Sequence, residues 1–72
     1  MDIRKLIGHN FAQVRKEKGL TQEQVSELSG FSQQYLSDLE RGRRNPTIVS
    51  IYELAAALKI HYLDLLKPNN DT

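Results

Sequence analysis

Seventy-two residues with no cysteine allow one small domain at most, whose core no disulfide or thiolate-bound metal supports. The longest apolar run, residues 60–66, is broken by His61 and Asp64 and is too short to cross a bilayer, and residues 1–5 lack the apolar stretch of a secretion signal, so a cytoplasmic location is expected. A net charge of +1 is weak for a nucleic-acid binder, but the charge is uneven: residues 1–47 carry eight Lys/Arg and six Asp/Glu, residues 48–72 two and three, and Arg41, Arg43 and Arg44 cluster in one turn.

Apolar periodicity predicts five helices and no strand, an all-α unit over residues 1–67 followed by a polar tail, 68–72. The first helix follows Asp2, a good N-cap, and runs to about residue 18, with Ile3, Leu6, Ile7, Phe11 and Val14 on one face. Lys16 and Lys18 suit the negative end of its dipole. Gly19 is placed for a left-handed residue just past the helix, and Leu20 for covering the end. The second helix opens on Thr21-Gln22-Glu23-Gln24, with Thr21 and Gln24 at capping-box spacing and Val25 and Leu28 expected to face inward. Ser26 stands where two helices should cross closely. Its small side chain fits there if the hydroxyl bonds back to the helix backbone. Gly30 is expected to supply the positive φ of a tight turn, Phe31 to plug the core beside it, and Ser32 to cap a third helix over about 33–41. Leu36 and Leu39 form the buried side of that helix, and Gly42 stops it. The fourth helix follows Thr47, with Ile48, Ile51, Leu54, Ala55 and Leu58 as its core stripe, and a fifth of one or two turns covers about 61–66. The expected core is Leu6, Phe11, Val25, Leu28, Leu36, Leu39, Ile51, Ala55 and Leu58.

Residues 20–46 read LTQEQVSELSGFSQQYLSDLERGRRNP: two short helical patterns broken at Ser29-Gly30-Phe31-Ser32. A helix whose first turn carries forked amides, followed by clustered arginines, suits reading base edges while gripping phosphates. The amides of Gln33 and Gln34 each offer a donor beside an acceptor, matching N6 and N7 of adenine, and Ser37 shares their face one turn later. In isolation such glutamines would be read as solvated helix formers. Asp38 lies near that face and is read as a salt-bridge or excluding residue, because a carboxylate toward DNA is costly unless a cytosine amine donates to it. Tyr35 has two readings, core or phosphate donor, the second favoured because Leu36 and Leu39 already fill the inward side.

This stretch resembles the helix-turn-helix of phage repressors and Cro proteins, the XRE-like family, and the resemblance covers nearly all 72 residues. The spacing Tyr-x-Ser-x-x-Glu-Arg-x-x-Arg-Asn, from Tyr35 to Asn45, is closest to small restriction–modification controller proteins. The resemblance implies a five-helix, lambda-repressor-like domain with its helix-turn-helix at helices 2 and 3, and a transcriptional regulator of double-stranded DNA. It implies that Gln33, Gln34 and Arg44 face bases and that Arg41 and Asn45 meet the backbone. Gln22 would add a donor to the N–H groups at the start of helix 2, Arg43 would grip phosphate, and Ser50 is a further phosphate candidate. It also implies that Arg15 and Glu40 pair across the core edge as a structural salt bridge.

Val49, Tyr52 and Ala56 form a second apolar stripe on the fourth helix, and Tyr62, Leu63 and Leu66 add apolar surface beside it. A monomer would leave this surface wet, so a homodimer is expected, setting two recognition helices about 34 Å apart for a palindromic site. The same surface and the low net charge also fit an alternative, an antitoxin-like or adaptor module whose main partner is another protein. His9 and His61 lie far apart, and the chain has no HExxH spacing, Ser/His/Asp arrangement or glycine-rich phosphate loop. No metal, cofactor, small-molecule ligand or enzymatic activity is expected.

Overall fold

Residues 1–68 are described by the computed structural model, so all of the expected tail except Pro68 lies outside the described residues. Four α-helices and one short 3-10 turn follow in order: α1 (Ile3–Glu17), α2 (Gln22–Ser29), α3 (Gln33–Glu40), α4 (Ile48–Leu58) and the turn Tyr62–Leu65. No strand occurs among the described residues.

The expected fifth helix is thus a 3-10 turn. Asp64 N–H reaches the His61 carbonyl and Leu66 N–H the Leu63 carbonyl, both three residues back, and His61 Nδ1 caps the start by accepting from Leu63 N–H at 3.1 Å. Pro68 follows too closely for a longer run.

Local chemistry sets the boundaries. Asp2, Thr21, Ser32 and Thr47 each accept a backbone N–H from the first turn of the helix that follows, and Thr21 with Gln24 completes a reciprocal capping box. Two helices end in the Schellman pattern around a left-handed glycine. After α1, Gly19 (φ 70°) donates to Lys16 O and Leu20 to Arg15 O; after α3, Gly42 (φ 74°) donates to Leu39 O and Arg43 to Asp38 O. The end of α4 repeats this pattern with a lysine in the left-handed position, Lys59 at φ 59°.

The core contains Ile7, Phe11, Val25, Leu36, Leu39, Ile51, Leu54, Ala55, Leu58 and Leu65. Each fully buried leucine contributes about 1.5–3 kcal/mol of transfer free energy. Four residues expected on an inward face lie elsewhere or are only half-buried. Leu28 is 61% exposed because α2 turns Val25, with Ser26 and Ser29 beside it, toward the core, and Leu28 projects away from that face. Ile48 is 70% exposed at the first turn of α4, ahead of the buried stripe Ile51, Leu54, Ala55, Leu58. Leu6 is only half-buried, the inward face of α1 being Ile7, Gly8, Asn10 and Phe11, and Ile3 is exposed.

Ser26 departs from expectation as well. Its hydroxyl donates forward to the Phe31 carbonyl at 2.6 Å, tying α2 to the turn, rather than back to its own helix. A close helix approach is found elsewhere. A Cβ at Gly8 would collide with the Leu39 carbonyl oxygen and stand 3.2 Å from Glu40 Cα, so α1 lies directly on the end of α3. Asn10, the one buried polar side chain among the described residues, donates through Nδ2 to the carbonyls of Leu65 (3.0 Å) and Lys67 (2.8 Å) and fastens the C-terminal turn to α1.

Candidate nucleic-acid interface

The inner side of α3 is buried through Leu36 and Leu39, and its last residue is tied to two other elements. Arg15 donates from Nε to Glu40 Oε2 at 2.7 Å and from Nη2 to Oε1 at 3.0 Å, and its Nη1 donates to the Leu20 carbonyl at 2.8 Å. Gln22 Nε2 adds a third donor to this carboxylate, at Oε1 and 3.1 Å. The expected Arg15–Glu40 pair is therefore present, with both side chains largely buried, and it locks α1, the start of α2 and the end of α3 together. Gln22 turns its amide nitrogen into this cluster. Thr21 Oγ1 takes the Gln24 N–H, which leaves the Gln22 and Glu23 N–H groups of the helix start for an anion.

The outer side of α3 carries the expected base-reading residues. Gln33 and Gln34 are exposed in its first turn, Ser37 is half-buried one turn later, and Arg44 is exposed in the loop beyond. Two of these residues meet in one network with Asp38 and Tyr35: Gln34 donates to Asp38, Arg44 pairs with Asp38, and the Arg44 guanidinium lies 5.0 Å from the centre of the Tyr35 ring. The reading of Asp38 as a salt-bridge residue agrees with this geometry. Tyr35 occupies a middle position between its two readings: half-buried, stacked on Phe31 at 4.9 Å, with Arg44 over its ring. The i, i+4 spacing of Gln34 and Asp38 was the sequence signal for this network.

Arg41, Arg43 and Asn45 are exposed, and no hydrogen bond or ion pair engages their side chains among the described residues, nor those of Gln33 and Ser37. Unpaired guanidinium groups beside an outward helix make a cationic rim on an otherwise near-neutral chain. Ser50 is half-buried and takes the Thr47 hydroxyl at 3.0 Å, so it belongs to the α4 cap.

On another face, Val49, Tyr52, Ala56, Tyr62 and Leu63 are exposed, whereas Leu66 is half-buried against the core. Ile48, Val49, Tyr52 and Tyr62 line an apolar groove of about 360 Å³, with the two tyrosine rings 6.2 Å apart. No helix of the described residues is long and apolar enough to cross a membrane, and they contain no group of three or more His, Cys, Asp or Glu side chains suited to a metal.

This geometry agrees with the comparisons. The helix-turn-helix family profile matches residues 11–65. An uncharacterized HTH-type transcriptional regulator of Sinorhizobium fredii, y4dJ, is 62% identical over 72 residues, covering 100% of this chain and 94% of that protein. The crystal structure of a hypothetical transcription factor from Neisseria superposes with a TM-score of 0.91 at 33% identity, covering 97% of this chain and 80% of that one. The restriction–modification controller protein C.Esp1396I, solved as a tetramer in complex with its natural 35 base-pair operator, superposes at 0.82 with 27% identity, covering 93% of this chain and 99% of that one.

Proposed function

The chain belongs to the helix-turn-helix family, and from that premise we propose that it is a sequence-specific transcriptional regulator of double-stranded DNA that enters the major groove with α3. The observation that carries this reading is the outward side of α3, where Gln33, Gln34 and Ser37 follow one another at helical spacing and Arg44 closes the row. Arg41, Arg43, Asn45 and Tyr35 flank that row and would grip phosphate, as would the N-terminus of α2 at Gln22. The role is occupancy of an operator rather than catalysis, performed in the cytoplasm by residues 1–67 as one unit.

The described residues extend 30 Å along their longest axis, so one copy spans a single groove. A homodimer through Val49, Tyr52, Ala56, Tyr62 and Leu63, with Leu66 at its edge, would cover the apolar groove and set two copies of α3 about 34 Å apart, on successive major grooves. The related controller protein whose operator complex has been solved is itself oligomeric on DNA.

Selection of bound sequences from random DNA tests the reading. A two-fold symmetric motif is expected. Gln33→Ala should relax one base position in each half-site by about 1–3 kcal/mol. Arg43→Ala should weaken all sequences alike and lower the salt slope by about one contact. A motif unchanged by Gln33→Ala would remove that residue from base reading. Binding only to an unrelated protein, with no DNA selected, would favour the adaptor alternative.

A further inference from the structure

Asp38 stands among residues proposed to face DNA, where a lone carboxylate repels phosphate. Its two oxygens are divided between two of those residues. Oδ1 accepts from Gln34 Nε2 at 3.1 Å and Oδ2 from Arg44 Nη2 at 3.5 Å. Gln34 lies one turn earlier on α3, and Arg44 returns to the helix through the turn at Gly42, where Arg43 N–H bonds the Asp38 carbonyl at 2.9 Å. Arg44 is held a second time by the Tyr35 ring, 5.0 Å away, and that ring is braced by Phe31. An ionised carboxylate only accepts, so Gln34 turns its nitrogen to Asp38 and keeps its oxygen and one N–H for a base. Arg44 commits one Nη2 donor and retains the others.

We infer that Asp38 is a specificity-determining positioning residue, which holds Gln34 and Arg44 in one prearranged donor–acceptor set so that their two base positions are read together. The inference rests on the proposed base-reading roles of Gln34 and Arg44. Its physical basis is that two long side chains ordered before DNA arrives lose less conformational freedom on binding, and that their partner's negative charge is already neutralised.

Sequence selection from random DNA with the full chain, together with affinity for a scrambled duplex and thermal unfolding, provides the test. Gln34→Ala and Arg44→Ala mark the base positions that each side chain governs. If neither alters the motif, the base-reading assignment fails and the inference falls with it. Once those positions are marked, Asp38→Ala should lower the preference at both by roughly three- to tenfold and leave the other positions alone. Asp38→Asn keeps an acceptor oxygen without the charge, so it should spare the Gln34 position and lose the Arg44 position; it also serves if the alanine variant fails to fold. A uniform gain in affinity for all duplexes with the motif intact would identify plain charge exclusion and overturn the inference. An intact motif with a lowered unfolding midpoint would identify a merely structural role and overturn it equally.

Discussion

Replacing Gly8 with alanine should destabilise the protein, although the same change in an exposed helix interior would stabilise it by about 1 kcal/mol. The added methyl meets the Leu39 carbonyl oxygen and stands 3.2 Å from both the Cα and the carbonyl carbon of Glu40. All three atoms are backbone, so no side-chain rotation relieves the contact. To restore ordinary separations, α1 and α3 must part by on the order of 1 Å. That movement loosens Phe11, Leu36 and Leu39 and stretches the Arg15–Glu40 pair. Overpacking of this kind costs about 1–3 kcal/mol, occasionally more. After the helix-propensity gain, and with the strained ion pair added, a net loss of about 2 kcal/mol is expected. A chain of this length has only about 4–10 kcal/mol to lose. Urea unfolding at one fixed protein concentration is the assay, because self-association would make the midpoint depend on concentration. The midpoint should fall with little change in slope. Gly19→Ala is the control for backbone strain alone. It has open space around it and φ 70°, and should cost about 1 kcal/mol. Because α3 leads directly to Arg44, Gly8→Ala should also weaken DNA binding. If Gly8→Ala proves as stable as the parent or more so, the close backbone approach does not set the position of α3.

Four further outcomes are expected. Asn10→Ala removes the donor from the Leu65 and Lys67 carbonyls and should cost about 1–3 kcal/mol in urea unfolding. Lys59→Gly relieves a left-handed lysine at φ 59° and should raise stability by about 1 kcal/mol; a lowered midpoint would contradict the assigned conformation. Arg15→Ala leaves the Glu40 carboxylate with Gln22 as its one remaining side-chain donor and should cost about 3 kcal/mol, read as a drop in thermal midpoint. Leu63→Glu and Tyr52→Glu should each shift sedimentation at micromolar concentration from dimer toward monomer; a parent protein already monomeric, with mass unchanged by Leu63→Glu, would reject the interface off DNA.

The helix order and its punctuation were legible in the sequence because their causes are local. Thr21 and Gln24, Ser32 and Tyr35, Gly19 and Lys16 meet within three residues of one another, so residue type and spacing suffice to place them. The outward placement of Gln33 and Gln34 was legible for the same reason, whereas the pairing of Arg15 with Glu40, 25 residues apart, was legible only through the family resemblance. Which face each helix turns inward was legible only in part. Hydrophobicity favoured Leu28 and Ile48, but α2 turns Val25 and two serines to the core and α4 begins its buried stripe at Ile51, because the neighbouring helices cover those sides. Gly8 and Asn10 were visible as a glycine and an amide within an apolar pattern. Their reasons lie 31 and 55 residues away, at Leu39 and Leu65. The link from Gln34 through Asp38 to Arg44 and Tyr35 likewise requires the chain to reverse at Gly42. A cap needs only the next turn of its own helix, whereas a buried face, a close crossing or a shared carboxylate exists only after several elements have packed around it.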